Sequence, residues 1–322
     1  MKKLFLGIVT IMVMSGKYVK KRKMKKGLPE KTFIAANTVF LLLLCLLTVY
    51  PILYIVAYSL NEGMDSLKGG LLLWPRKFTW FNYEYVLGNG IVQRAYLITI
   101  GRTVLGTALG LVVTGITAYG YSFRNLPYRK FLMTVALIPM LFSGGLIPYY
   151  IQLSRLHLID TFWVFIIPGA FNIWNMFVMM KFFMGIPESL RESALIDGAG
   201  EVNIFLKIII PLSKPVLAAI GLFVAVGHWN DWYSGAFYIN TNQLMPLQTY
   251  LQKLFSSDSL SMLAGNNQVV AEAAIRQSQT STMTIMSVKM AAVMIGTLPI
   301  LCIYPFLQKH FVKGMLVGSV KG

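Results

Sequence analysis

The chain has 322 residues, 56% of them hydrophobic and 13% charged, with a mean hydropathy of +0.63. A charged share about half that of a globular protein excludes an ordinary soluble domain. The formal net charge of +17 would suit a nucleic-acid partner if it coated a polar surface. Here the cations cluster beside apolar runs, which points to a membrane facing anionic lipid and away from nucleic acid.

The apolar run 4–14 follows Lys2 and Lys3. It is shorter than the roughly 20 residues needed to cross a bilayer and has signal-peptide proportions. Export would place the next segment outside, yet 17–31 carries Lys17, Lys20, Lys21, Arg22, Lys23, Lys25, Lys26 and Lys31 against Glu30 alone. Such a block belongs on the cytoplasmic side. Residues 1–33 are therefore read as a basic cytoplasmic tail, with 1–16 as an upstream extension and Met24 as an alternative start.

Six spans are expected after it, at about 34–58 (bent by Pro51), 96–122, 131–153, 161–183, 213–238 and 287–308. The first external loop, about 60–94, places Trp74, Trp80, Phe81, Tyr83 and Tyr85 for a membrane interface. The second span is rich in small residues (Gly101, Gly106, Gly110, Gly115), which let helices approach closely in lipid. Arg102 inside it is read as a side chain snorkelling to the outer face, with a polar contact in a pathway as the alternative. Arg124, Arg129 and Lys130 mark a cytoplasmic turn, and Ser143-Gly144-Gly145 falls within the third span. The segment 239–285 is polar and external, and 309–322 is a cytoplasmic tail. Cys45 and Cys302 lie in spans and His157, His228 and His310 are isolated, so neither a disulfide framework nor a metal or catalytic site is expected. No Gly-x4-Gly-Lys-Ser/Thr occurs, which leaves any ATP chemistry to another chain.

Between the fourth and fifth spans lies a polar island, about 185–211. Pro187 and Glu188 suit the first turn of a helix, and Gly198 and Gly200 suit its end, where a left-handed turn needs no Cβ. A second short helix, about 201–209, would run to Pro211. The result is a helix–turn–helix knuckle whose small residues let another protein's backbone come close. In the fifth span, Trp229, Trp232 and Tyr233 are three and four residues apart, so on one helix Trp229 shares a face with both others. With Asn230 and Asp231 they form a candidate substrate path, since sugars offer apolar faces to rings and hydroxyls to polar groups. The alternative for this stretch is an interfacial aromatic belt.

The island reads Glu192-Ser193-Ala194, Gly198, Ile208 and Ile210-Pro211. It resembles the EAA loop of ABC-transporter permeases, with Ser in the second position and Ile for Leu. Asp197-Gly198-Ala199 is the version typical of sugar permeases. Gly144-Gly145-Leu146-Ile147-Pro148-Tyr149-Tyr150, Thr161-Phe162-Trp163, Trp229-Asn230-Asp231 and Met245-Pro246-Leu247-Gln248 add to the likeness. So does the ending Phe311-Val312-Lys313-Gly314…Gly318-Ser319-Val320-Lys321-Gly322. The chain is similar to the maltose-transporter-G-like subgroup that handles oligosaccharides derived from polysaccharides.

The resemblance implies an all-α membrane protein with the six-helix architecture of a type I importer permease, in the bacterial cytoplasmic membrane with both termini inside. It implies a second, different permease, an external sugar-binding protein and two ATPase subunits that use ATP and Mg, with no cofactor bound by this chain. Glu192, Ser193, Ala194, Asp197, Gly198, Ala199 and Pro211 would couple to the ATPase. The tail with Lys313, Gly314 and Gly318 would take an extended path toward the ATPase interface or lie on lipid. Two other classes compete with this reading. A membrane glycosyl or phosphatidyl transferase needs clustered carboxylates. An ion-coupled transporter needs inverted repeats and intramembrane charges.

Overall fold

In a computed structural model, the backbone is described for residues 28–70, 73–256 and 284–319. Side chains are described for 31–70, 73–256 and 284–303. The signal-like run, most of the basic block and much of the polar segment before the last span lie outside these ranges. Among the described residues the secondary structure is helical, apart from one isolated antiparallel bridge between Asn61 and Phe78. The chain divides into two compact units, Met1–Leu53 and Tyr54–Gly322.

The helices are α1 (Leu28–Ser59), α2 (Gly63–Ser66), α3 (Phe81–Gly88), α4 (Gly90–Ser122), α5 (Arg129–Leu141) and α6 (Leu146–Arg155). They continue with α7 (Ile173–Phe183), α8 (Glu188–Ile196), α9 (Glu201–Ile204), α10 (Ile210–Leu212) and α11 (Lys214–Asn230). Then come α12 (Tyr233–Tyr238), α13 (Leu247–Phe255) and α14 (Ile285–Ser319). By length and composition, Lys31–Ser59, Gly90–Ser122 and Ile285–Ile303 can each cross a membrane. Two bent pairs raise the number to five: α5 with α6 at 111°, and Glu201–Leu212 with α11 at 82°.

Three of the expected continuous spans are broken. The third breaks between Leu141 and Leu146, where Gly145 takes a φ of +83° that favours glycine. The fourth is a 3₁₀ turn at Phe162–Phe165 followed by the 11-residue α7, which starts only after Pro168-Gly169. Asn172 caps α7, its side-chain oxygen accepting from the Asn175 N–H at 3.0 Å. The fifth ends as a helix at Asn230 and restarts at Tyr233.

The expected close packing along α4 is present. A Cβ on Gly101 would lie 3.3 Å from Phe162, on Gly110 3.4 Å from Val224, and on Gly115 3.5 Å from Met179. On Gly106 it would lie 2.3 Å from the His228 ring. This stripe lets α4 pack against α7 and α11, as expected where small residues replace the hydrophobic drive that lipid removes. One buried core joins Ala118 and Tyr119 of α4 to Met176, Met179, Met180 and Phe183 of α7 and to Ile204, Ile209, Val216 and Ile220. It forms the floor on which the knuckle stands. A second core joins α3, the start of α4, α13 and α14.

The tail departs from the extended path expected of it. Lys313, Gly314 and Gly318 lie within α14, which runs on to Ser319. Extending an existing helix avoids the unfavourable nucleation step, and that outweighs the roughly 1 kcal/mol that each glycine costs.

Candidate functional site

The knuckle forms as the sequence expects except at Gly200, which is extended (φ −73°) and precedes the next helix instead of turning left-handed. Pro187 precedes the first turn of α8 and Glu188 opens it, a carboxylate at the positive end of the helix. At the other end, Gly198 has φ +80° and its N–H donates to the Leu195 carbonyl at 3.0 Å, while the Ala199 N–H donates to Ala194 at 2.9 Å. This pair of bonds is the Schellman motif, and it satisfies two carbonyls that the helix end leaves free. No residue of α8 is buried. Glu192, Ser193, Asp197 and Gly198 are exposed, Ala194 and Ala199 are half-buried on the core below, and Ile196 is 87% exposed. Pro211 is exposed in α10, beyond a π-helical stretch at Phe205–Ile209.

Arg191, on the core side of α8, pairs with Glu201 at the start of α9. The Tyr119 hydroxyl of α4 donates to the same carboxylate at 2.7 Å, and the Arg191 guanidinium lies 4.7 Å over the Phe123 ring. None of Tyr119, Arg191 and Phe123 stands out in the sequence, because the motif marks the exposed residues around them.

The second constellation is a cleft of about 590 Å³ between α4, the Phe162–Phe165 turn, α7, α11 and α12. Its charged floor is an ion pair between Arg102 and Asp231. Arg102 also donates from Nη1 to the Asp231 carbonyl at 3.0 Å and lies 4.5 Å over the Phe165 ring. It is 1% exposed, so the snorkelling reading is wrong. Three to four turns below the start of α4, the guanidinium is held by a carboxylate, a carbonyl and a ring.

This pair also explains the break in the fifth span. Asp231 Oδ1 accepts the Ser234 N–H at 3.0 Å and so starts α12. The Trp232 carbonyl accepts from the Thr249 hydroxyl at 2.8 Å and from the Ala236 N–H at 3.1 Å. Backbone groups freed by a broken helix are costly in lipid unless rebonded, and here they are rebonded.

The break overturns the shared face expected of Trp229, Trp232 and Tyr233. Trp229 is buried away from the cleft, its Nε1–H donating to the Gly296 carbonyl at 2.9 Å and its ring edge-on to Tyr96 at 5.6 Å. Asn230 and Trp232 are exposed and outside the cleft lining, whereas Asp231 and Tyr233 line it. The remaining walls come from residues that sequence reasoning did not place there. Tyr149, Phe165, Trp174 and Tyr238 supply rings, and Asn172, Asn175, His228 and Ser234 supply polar groups. Tyr149 and Tyr238 lie 5.9 Å apart and continue through Tyr233 to Phe237 as one aromatic run.

Asp160 clamps the segment after α12: its carboxylate accepts from the Asn240 and Thr241 N–H groups and the Thr241 hydroxyl at 2.6–3.0 Å. The Thr241 bonds, joined by that from Asn240, hold the Asp160 carboxyl below the usual carboxylate range against a small burial effect.

Residues 106–317 match the family described as "Binding-protein-dependent transport system inner membrane component". The chain is 40% identical to Protein LplC of Bacillus subtilis over 91% of its own length and 96% of the relative's. It is 37% identical to the polygalacturonan/rhamnogalacturonan transport system permease protein YtcP of the same organism, over 88% and 96%. The crystal structure of a bacterial ABC transporter involved in the import of the acidic polysaccharide alginate superposes with a TM-score of 0.81 at 28% identity. That match covers 90% of this chain and all of the other. None of these relatives supports the transferase alternative. The chain belongs to the inner-membrane component family of binding-protein-dependent transport systems, and is a multi-pass permease subunit of an ABC importer rather than an enzyme.

Proposed function

We propose that this permease forms, with a second and different permease, the translocation path for an oligosaccharide released from a polysaccharide. Two ATPase subunits supply ATP and Mg chemistry from the cytoplasm, and an external or periplasmic sugar-binding protein delivers the cargo. The observation that carries the reading is the cleft at the broken fifth span, where a run of rings faces amides, a hydroxyl and a carboxylate. Rings stack on the C–H faces of a sugar and the polar groups bond its hydroxyls, so one wall meets both needs. The polysaccharide names of a curated relative and of the solved importer support that cargo class.

In the same reading the chain makes six spans, the third, fourth and fifth being discontinuous, with both termini cytoplasmic. The knuckle docks on an ATPase through Glu192, Ser193, Ala194, Asp197, Gly198 and Ala199, with Pro211 setting the exit of the loop. Exposed Leu195, Ile196 and Val202 give that surface apolar area to bury. The tail with Lys313, Gly314 and Gly318 reaches toward the ATPase dimer or lies on lipid. Cytosolic deletion of 314–322 separates the two, because a lipid role leaves ATPase stimulation normal.

The test is uptake of labelled oligosaccharides by liposomes containing the assembled importer. Asn172→Leu and Tyr149→Ala should lower uptake with assembly intact. Wild-type uptake in both variants at all cargo concentrations would move the path off this cleft.

A further inference from the structure

Within the knuckle, α8 has little holding it, whereas the stretch after it is anchored by buried Ile204 and Ile209. No residue of α8 is buried; its Ala194, with the adjoining Ala199, is half-buried, and its Arg191 side chain reaches the carboxylate described next. That side chain meets Glu201, whose Oε2 accepts from Arg191 Nε at 3.3 Å and from the Tyr119 hydroxyl at 2.7 Å, while Oε1 takes Arg191 Nη2. Tyr119 is buried near the C-terminal end of α4, edge-on to Phe123 at 4.9 Å and tilted on Phe205 at 5.0 Å. One carboxylate therefore collects α8, the start of α9 and α4. Arg102 lies on the same α4, 17 residues and about 25 Å further along, and holds the break in the fifth span.

We propose that Glu201 is a positioning residue that ties the knuckle to α4, so that displacement of α8 by a docked ATPase reaches the helix that anchors the cleft. The proposal rests on the reading of α8 as the ATPase-coupling helix. An ion pair whose side chains are 29% and 42% exposed adds little stability, so its role is geometric and its loss should spare folding.

The experiment uses the complete importer in liposomes, with Cys45 and Cys302 replaced by Ala and spin labels at Gly120→Cys and Ser189→Cys. Gly120 has open space for a side chain, and Ser189 is exposed in α8 outside the residues assigned to docking. The tie predicts a narrow α4–α8 distance in the parent. Glu201→Ala and Tyr119→Phe should broaden it and lower uptake per ATP hydrolysed by about three- to tenfold. The swap Arg191→Glu with Glu201→Arg should narrow it again and restore most of the uptake.

If Glu201→Ala and Tyr119→Phe keep the parent distance and yield, while Gly198→Val uncouples, the tie is refuted and the coupling helix stands. If Gly198→Val also behaves as the parent, the reading of α8 falls with it. Should Glu201→Ala fail to assemble, Tyr119→Phe decides, since it removes one hydroxyl: parent-like distance and yield there overturn the proposal.

Discussion

The knuckle and the cleft use the same chemistry, an arginine paired with a carboxylate beside an aromatic ring, under opposite conditions. At the knuckle, Arg191 and Glu201 are ten residues apart, partly exposed, and join two short helices with no buried residue between Pro187 and Gly200. At the cleft, Arg102 and Asp231 are 129 residues apart, the arginine is sealed from solvent, and the pair fastens a broken helix. The first arrangement leaves a surface another protein can grip and move. The second fixes polar groups where lipid would otherwise forbid them.

The sharpest way to break this contrast is to remove one partner of the sealed pair. Arg102→Met leaves Asp231 Oδ2 and the Asp231 carbonyl without their Arg102 donors, and losing one partner of a buried pair costs about 3–5 kcal/mol. Thermal unfolding of the detergent-solubilised complex should show that loss, and Arg102→Met with Asp231→Leu should recover much of it. Equal stability of the single variant and the parent would mean that the pair does not fasten the break. Trp229→Ala follows in size, at about 3 kcal/mol, because the indole fills a site between α11 and α14 and bonds the Gly296 carbonyl. A fall in uptake at unchanged stability would return Trp229 to the substrate path.

The smallest effect concerns pH. Asp160 has a lowered pKa when folded, so its clamp on residues 240–241 adds stability that is complete above the unfolded pKa of about 4 and lost as pH falls through the folded value. Hydrogen exchange at Asn240 and Thr241 should therefore stay slow through mild acid and quicken below it, and Asp160→Asn should quicken it at neutral pH.

The two regions also differ in how well the sequence reports them. The knuckle was legible because its rules are short-range: a proline and a carboxylate at one end, a glycine at φ +80° at the other, and a fixed spacing to Pro211. The cleft was not, because its walls come from segments around residues 102, 149, 165, 172 and 231, which no local pattern joins. Hydropathy marked the long apolar helices Lys31–Ser59, Gly90–Ser122 and Ile285–Ile303 but could not see the breaks after Leu141 and Asn230. Asp231 and Trp232 look like the continuation of a helix until the partners of their backbone, Arg102 and Thr249, are known. Arg102 stands out in the sequence but reads there as a snorkelling side chain, since a lone cation in an apolar run carries no sign of a partner so far away in sequence.

The central claim is that the knuckle transmits ATP hydrolysis to cargo passage, and uptake per ATP hydrolysed in the reconstituted importer tests it most directly. Gly198→Val forces a β-branched residue into a left-handed turn, at a cost of about 1–2 kcal/mol in a site with open space around it. Glu192→Lys reverses a charge on the proposed docking face. Both variants should assemble with their partners and hydrolyse ATP while importing far less sugar for each ATP spent. Parent-like uptake per ATP in both would contradict the account.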